Sequence, residues 1–508
     1  MNFIKQLLSI KHGARTAKNS CKGASFCISR SIHESMVEVN SKEEEVVIAL
    51  GSNVGNRIRN FEHALERMRK SGIQITRHGC LYETEPAYVI DQPRFLNSAV
   101  RANTKLSPQK LLETLKEIER EMGRTAGIRY GPRPIDLDIL FYGDQTVDTD
   151  TLRIPHERIW ERPFVLGPLT DVLGHDMEND VVGFWHDASG FSGGIFEAWE
   201  KMGGESNVGP GGMRRVLPVA GELRDWSGKT WVMGVLNVTP DSFSDGGKFL
   251  DVTSAVDRAR SMLSDGADII DIGAQSTRPM AEKLSPEQEL SRLIPVLDAI
   301  RDLPEIEGKL ISVDTFYSEV ALEAAKHGAD IVNDVSGGRL DSDMLKVVAG
   351  LKIPYVAMHM RGDPSTMQNS ENLTYGDVCV DVARELCAGA GEAELSGLPA
   401  WRMIVDPGIG FSKNTEQNLD IVNGLKDIRG EIGKWRLAVS RVPLLLGVSR
   451  KRFLGEICSQ PNAAQRDAAT VACVAAGVFG GANIVRVHNV RDTRDAVRVC
   501  EALMRRRK

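Results

Sequence analysis

The stretch Ala267–Gly273, ADIIDIG, decides the architecture of the larger part of the chain. Its apolar residues run together instead of alternating with polar ones. A short, β-branched apolar run of this kind is the pattern of a parallel strand buried on both faces. Seven further runs repeat it: WVMGVLN (231–237), LISVDT (310–315), ADIVNDVS (329–336), PYVAMHM (354–360), MIVDPG (403–408), PLLLGVSR (443–450) and ANIVRVHN (482–489). Helical stretches separate them. Eight β/α units over residues 231–507 predict a closed (β/α)8 barrel, with a doubly wound open sheet as the alternative.

The polar residues carry a second signal. Asn237, Asp271, Asp314, Asn333, His359, Asp406, Ser449, Arg486 and His488 fall toward the C-terminal ends of these runs. In a (β/α)8 barrel those ends converge on one mouth, where active sites form. Helix capping explains one such residue but not eight strands ending alike. The mouth collects cations (Arg278, Lys451, Arg486), acids (Asp271, Asp314, Asp406) and amides (Asn237, Asn333). That set suits an anionic, nitrogen-rich ligand.

Upstream, residues 45–175 mix short strands with amphipathic helices (57–70, 108–122), an α+β pattern whose folded sequence is expected to start at Val46. Here RYGPRPIDLDILF (129–141) places Asp136 and Asp138 on one strand face and Ile135, Leu137 and Ile139 on the other. Same-face neighbours lie about 6.6 Å apart. Their repulsion is about 0.6 kcal/mol in water and about 2.5 kcal/mol at an effective dielectric near 20. A partly enclosed pair therefore calls for a cation. Magnesium shared with phosphate oxygens fits, with Arg124, Arg129 and Arg133 clamping the phosphates. An exposed acidic face paired with those arginines fits the spacing equally well. GSNVGN (51–56) lacks the Gly-Lys-Ser/Thr ending of a phosphate loop and reads as a strand-to-helix turn.

A segment at 176–215 separates the two units. Five of the ten residues 203–212 are glycine, which predicts a flexible connection. Phe184, Trp185, Phe191, Phe196 and Trp199 just before it are expected to dock on a domain. The barrel unit then takes residues 216–508. A formal charge of −6 gives no reason to expect nucleic acid, and no apolar run suggests a membrane span. Eight cysteines without a CxxC pair fit a reducing compartment. Residues 1–33 contain six Lys or Arg (Lys5, Lys11, Arg15, Lys18, Lys22, Arg30) and no acid, the composition of an organellar presequence spanning about residues 1–40. A cytosolic tail is the alternative.

Two sets of motifs carry a resemblance. ALGSNVGNR (49–57), DQPRFLNSAV (91–100), EREMGR (119–124), RYGPRPIDLDILFYG (129–143) and IPHERIWERPFVLGPL (154–169) are similar to hydroxymethyldihydropterin pyrophosphokinase. This implies a ferredoxin-like α+β domain that uses ATP and magnesium to pyrophosphorylate 6-hydroxymethyl-7,8-dihydropterin. By position, Asp136 and Asp138 would hold magnesium. Arg124 and Arg133 would handle phosphate. Glu119, Arg129 and His156 would belong to the nucleotide site, and Phe95, Asn97 and Phe164 to the pterin pocket. MGVLNVTPDSFSDGG (233–247), IIDIGAQSTRP (269–279), MHMRGDPSTMQ (358–368), DPGIGFSK (406–413), GVSRKRFLG (447–455) and IVRVHNV (484–490) resemble dihydropteroate synthase. In that family p-aminobenzoate replaces pyrophosphate on the pterin methylene.

The second resemblance implies that Asp314, Asn333, Asp406 and Lys451 grip the pterin, and that Asn237 contributes to a magnesium–pyrophosphate site. Thr277, Arg278, Arg486 and His488 would contact pyrophosphate. Ser449 and Phe411 would line the p-aminobenzoate pocket, and Asp271 would lie near the reacting end. Arg124, Arg133, Asp138, Lys451, Arg486 and His488 are the expected catalytic set. Two positions depart from the bacterial pattern: Gln275 stands where Glu is usual, and Asn489 where Asp often follows the His. Together the motifs imply a bifunctional folate-biosynthesis enzyme of plant type, with a homo-oligomer formed through the barrel and a mitochondrial address. One inactive half acting as a docking module, or a barrel that is a pterin-binding methyltransferase, are the competing readings.

Overall fold

The computed structural model describes residues 39–125, 130–174, 179–209, 212–238, 252–275 and 283–506. The expected presequence up to residue 38, and the expected site residues Arg129, Thr277 and Arg278, lie outside them.

The first domain is built on an antiparallel sheet. Its central strand β1 (Val39–Ser52) starts seven residues before the expected Val46 and is followed by helix α1 (Arg57–Lys70). Next come β2 (Ile73–His78), β3 (Leu81–Thr84), β4 (Phe95–Leu106), helix α2 (Pro108–Glu121) and β5 (Asp136–Tyr142). β4 and β5 flank β1, and β2 pairs with the far side of β4. The order β5–β1–β4–β2 with two crossover helices is the ferredoxin-like arrangement. Ile135, Leu137 and Ile139 join Phe61, Leu65 and Met68 of α1 and Leu111 and Leu115 of α2 in one core. The predicted apolar face of β5 thus lies under the helices, and its acidic face is left for chemistry.

The other face of the sheet is covered by what was expected to be a flexible connection. After a short hairpin of β6 (Val147–Asp148) and β7 (Arg153–Ile154), helices α3 (Pro163–Leu173), α4 (Asp180–Asp187) and α5 (Gly194–Lys201) form a second layer. Trp185 and Trp199 are fully buried there. The Trp185 indole donates to Gly143 O (2.7 Å), and its ring stacks on Phe141 (centroids 5.4 Å apart). Burial of these rings outweighs the conformational freedom of the local glycines, so residues 179–209 are folded.

Strand β8 (Arg214–Val219) then adds to the edge of the first sheet beside β3, with Tyr82 opposite Arg215, and turns through Ala220–Gly221 into β9 (Glu222–Arg224). The boundary expected at residue 215/216 therefore cuts a strand that belongs to the first sheet.

Eight parallel strands follow: β10 (Trp231–Asn237), β11 (Ile269–Gly273), β12 (Leu310–Asp314), β13 (Ile331–Asp334), β14 (Tyr355–Met358), β15 (Met403–Asp406), β16 (Leu445–Leu446) and β17 (Ile484–Val487). A bridge between Val405 and Leu444 joins β15 to the β16 side, closing the barrel and removing the open-sheet alternative. Residues at the starts of the strands, including Ile269, Leu310, Ile331, Leu445 and Ile484, form one cluster with Leu217, Val219 and Trp226. The β8–β9 hairpin is thus both an edge of the first sheet and a plug in the floor of the barrel.

Polar bonds at that floor tie the domains together. Arg402, just before β15, donates to Glu62 of α1 (2.5 Å) and to Pro218 O (3.2 Å). Glu394 accepts from the His78 backbone N–H (2.7 Å) and pairs with Arg436. Asp171 of α3 pairs with Arg441.

Candidate functional sites at the acidic strand face and the barrel mouth

In the first domain, β5 lies along β1 with Asp136 opposite Gly51 and Asp138 opposite Ala49. A cavity of about 460 Å³ opens over this face. It brings together Phe95, Asn97, Arg124, Arg133, Asp136, Asp138, His156 and Phe164, which are spread over 70 positions of sequence. Arg124 and Arg133 each donate to one oxygen of Asp136 (2.5 and 2.6 Å). Burial opposes ionisation of Asp136, but Arg133, Arg124 and Lys116 outweigh it and hold the carboxyl below its ordinary range. Glu119 sits beneath the cavity. It accepts the Leu137 N–H (2.8 Å) and pairs with Arg124 (2.5 Å), while burial raises its pKa. Burial lowers the pKa of His156, against the pull of Asp138.

Phe95, Asn97 and Phe164, the residues expected to line a pterin pocket, stand at the same cavity. The Arg133 guanidinium lies over the Phe95 ring at 5.8 Å and that of Arg162 over Phe164 at 5.9 Å. Asn97 donates to Thr84 Oγ1 (2.8 Å), and the missing side chain of Gly51 leaves room beside its carbonyl oxygen.

Several participants escaped the sequence reading. Lys116 bonds Glu119 (2.8 Å) and lies 3.6 Å from Asp138; its spacing of three residues from Glu119 on a helix was the available signal. Tyr88 and Tyr130 pack together (4.5 Å) under Arg158 (4.8 and 5.3 Å), at one wall of the cavity. Gln92 and Asn53 tie the arginine-bearing turn in place, because Asn53 Oδ1 accepts the Arg133 N–H (2.8 Å) and Gln92 donates to Tyr130 O (3.0 Å). Nothing local in the sequence marks these pairings.

At the barrel mouth, strand register aligns Asn237, Gly273, Asp314 and Asn333 in one row. Arg486 of β17 reaches across the interior and donates to Asp271 Oδ2 and Asp314 Oδ2, both at 2.6 Å. Asn333 also donates to Asp271 Oδ2 (3.2 Å). Asp271 Oδ1 is buried without a hydrogen-bond partner among the described residues, an acceptor open to a ligand N–H. Burial pushes Asp314 up to about 7, with Arg486 opposing and Asp271 adding to the rise. Asp406 is raised to about 6 by burial, against the Gly408 N–H it accepts (2.7 Å) and Lys451. Burial and Arg486 bring Lys451 down to about 8. Its ammonium lies 4.0 Å from the centre of the Phe411 ring. Ser449 Oγ accepts the His488 N–H (3.1 Å) and lies 2.9 Å from His488 Nδ1. Burial, then Arg450 and Arg486, lower His488 to about 3, which leaves a neutral imidazole.

The two departures have local explanations. Gln275 Oε1 accepts the Leu284 N–H (2.8 Å), a bond that needs an acceptor oxygen and no charge. Asn489 caps the last helix through Oδ1 and donates from Nδ2 to Asp467 (3.4 Å) and Asp492 (2.9 Å). An aspartate there would face two carboxylates.

Comparison with known proteins gives a consistent picture. Residues 47–174 match the family model for 7,8-dihydro-6-hydroxymethylpterin-pyrophosphokinase, and residues 233–488 match that for pterin binding enzymes. The chain is 64% identical over 491 residues to the mitochondrial folate synthesis bifunctional protein of Pisum sativum, covering 97% of this chain and 95% of that one. It is 63% identical over 480 residues to the mitochondrial folate synthesis bifunctional protein of Arabidopsis thaliana, covering 94% and 87%. A crystal structure of a Plasmodium falciparum HPPK-DHPS triple mutant with pteroate shares the fold, with a TM-score of 0.71 at 23% identity, over 91% of this chain and 95% of that one.

Proposed function

The chain belongs to the bifunctional folate-synthesis family, and from that premise we propose how its residues divide two consecutive reactions. The first domain transfers the terminal pyrophosphate of ATP to the hydroxymethyl group of 6-hydroxymethyl-7,8-dihydropterin and releases AMP. The barrel condenses the pterin pyrophosphate with p-aminobenzoate to give 7,8-dihydropteroate and pyrophosphate.

For the first reaction, Phe95 and Phe164 sandwich the pterin and Asn97 reads its polar edge. His156, Glu119 and Arg129 hold the nucleotide. Arg124 and Arg133 clamp the transferring phosphates, and their present bonds to Asp136 mark where an anion is stabilised. Asp136 and Asp138 suit magnesium. They are two hard carboxylates lining a cavity of about 460 Å³, and phosphate oxygens and water would supply the remaining ligands. When bound, the ion would neutralise charge on the triphosphate. Lys116 keeps Glu119 and Asp138 apart in charge terms.

For the second reaction, Asp314, Asn333 and Asp406 accept ring N–H groups and Lys451 donates to a ring acceptor. Arg486, Arg278, Thr277 and His488 receive the departing pyrophosphate, and Asn237 would help hold a magnesium ion bound to it. The amine nitrogen of p-aminobenzoate, held by Phe411 and Ser449, attacks the methylene as the C–O bond breaks and then loses a proton. His488 is the donor to the leaving group at Nε2, since the Ser449 hydroxyl faces Nδ1. Asp271 accepts from the substrate near the reacting end. The observation that carries this assignment is Arg486 held between two buried carboxylates at the mouth: a ligand anion can recruit the guanidinium while its ring N–H groups take over the carboxylates.

Purified chain supplied with ATP, hydroxymethyldihydropterin and p-aminobenzoate makes dihydropteroate and AMP; failure to form dihydropteroate refutes the two-step reading. The basic, acid-free residues 1–33 and the mitochondrial names of two relatives support a mitochondrial address. A fusion of residues 1–40 to a fluorescent protein tests it, and a diffuse cytosolic signal is the contrary result. The family resemblance also supports a homo-oligomer formed through the barrel, which sedimentation measures.

A further inference from the structure

Lys413 is a buried lysine to which neither reaction gives a role. It is 3% exposed, and burial lowers its pKa to about 7, against the pull of Asp406 and Glu385. It donates to Gly408 O (3.0 Å) and Phe411 O (2.9 Å) and lies 3.0 Å from His359 Nδ1. His359 Nε2 meets Glu385 Oε2 (3.0 Å), and Glu385 in turn accepts from Arg361 (2.9 and 2.5 Å). Burial, followed by the neighbouring Lys413 charge, lowers His359 to about 3. A neutral imidazole donating to Glu385 presents Nδ1 as an acceptor, so three N–H donors meet three acceptors.

These bonds join two segments of the mouth. Gly408 and Phe411 belong to the loop after β15; His359 follows β14. The segments are in near contact: a Cβ on Gly408, at φ +70°, would lie 1.9 Å from His359 O. His359 N–H donates to Asp406 O (2.9 Å), and Ser412 Oγ exchanges bonds with Arg361 N and O (2.7 and 3.0 Å). The product of this bracing is the location of the Phe411 ring, the surface under the Lys451 ammonium.

We propose that Lys413 is a positioning residue for the amine substrate, tying residues 408–412 to the end of β14 and so fixing the ring on which p-aminobenzoate and Lys451 pack. This rests on the assignment of Phe411 to the p-aminobenzoate pocket. Lys413 touches no substrate and acts through Phe411, so its removal should move one Michaelis constant more than turnover.

In the full chain, Lys413→Met raises the KM for p-aminobenzoate about tenfold. The KM for the pterin pyrophosphate and the ATP consumption of the first domain stay within about twofold of the parent. Lys413→Gln keeps two N–H donors and recovers part of the loss. Combining Lys413→Met with Phe411→Leu gives a KM close to that of the worse single variant, because both remove the same surface. A fall in kcat alone, an equal rise in both KM values, or multiplied effects in the double variant overturns the proposal. A Phe411→Leu variant with unchanged KM for p-aminobenzoate overturns the underlying assignment as well. If Lys413→Met does not accumulate as folded protein, Lys413→Gln is judged by the same criteria.

Discussion

Asp171→Ala should destabilise both domains together. Asp171 lies on α3 and is 3% exposed. One oxygen accepts the Cys80 N–H and the Tyr82 O–H, both at 2.9 Å; the other faces Arg441, which comes from the barrel. Arg441 also donates to Thr170 Oγ1 (3.0 Å) and pairs with the more exposed Glu205 (2.5 Å). Alanine leaves Arg441 without its buried carboxylate, and removing one partner of a buried pair costs about 3–5 kcal/mol. It also orphans an amide and a phenol, each worth about 1–3 kcal/mol when buried. These losses overlap because they share one carboxylate, so about 4–6 kcal/mol is expected in total. Urea titration followed by two readouts, ATP consumption for the first domain and dihydropteroate formation for the barrel, should show both midpoints falling in parallel. Arg153→Ala removes a pairing with Asp148 and Glu157 at the surface and should change neither. A loss below about 1 kcal/mol, or a shift in one midpoint alone, would refute the claim that this pair joins the domains energetically.

Three further outcomes follow from the sites. Glu289 is buried on the helix Pro286–Arg301, and burial pushes its carboxyl up to about 7 against the smaller pull of Thr315. The folded state therefore keeps a proton that the unfolded state has released, so this group's contribution to stability is full below pH 4.5 and is lost as pH rises through 7. Glu289→Gln should flatten that part of the pH–stability curve, read by thermal melts from pH 4 to 8, and stabilise at pH 8 by roughly 2–3 kcal/mol; an unchanged slope contradicts the assignment. Asp138→Ala should abolish AMP release while dihydropteroate still forms from supplied pterin pyrophosphate, and loss of both activities would show that the chemistries are not separate. Arg486→Ala should do the reverse, dropping synthase turnover by roughly a hundredfold to a thousandfold, in line with the loss of a preorganised charge donor; preserved synthase turnover would remove Arg486 from the pyrophosphate site.

The barrel was readable because a parallel strand covered on both faces must be a continuous apolar run, and each run here ends near a polar residue. ADIIDIG shows both: Ile269 points into the floor cluster, whereas Asp271, two residues on, meets Arg486. The acidic strand was readable from its alternation. What escaped was pairing between residues distant in sequence. Strand β8 begins Arg-Arg and contains Pro218, a weak strand signal, and its partner β3 lies about 130 residues upstream. The folding of residues 179–209 was half legible, since the aromatics were seen but the glycines suggested freedom. Lys413 ends the motif DPGIGFSK, yet no spacing rule says that a lysine will close on His359, 54 positions earlier.

The placement of the first domain follows from strand polarity. The polar residues Asp314, Asn333, Asp406 and Arg486 lie toward the C-terminal ends of their strands, and the residues that touch Leu217, Val219 and Trp226 lie toward the N-terminal ends. The β8–β9 hairpin therefore joins the domains at the end of the barrel opposite the mouth. A hairpin that supplies an edge strand to one core and a hydrophobic plug to the other makes each core part of the other's stability. The barrel interior, packed with side chains between floor and mouth, keeps the second site's electrostatics apart from the docking surface. Neutralising Asp138 or Arg486 alters a charge at one site and leaves the shared floor untouched. Cutting the chain between β8 and β9 would do the opposite, exposing Leu217, Val219 and Trp226 and weakening both halves. Stability should thus be shared between the domains while catalysis remains separable.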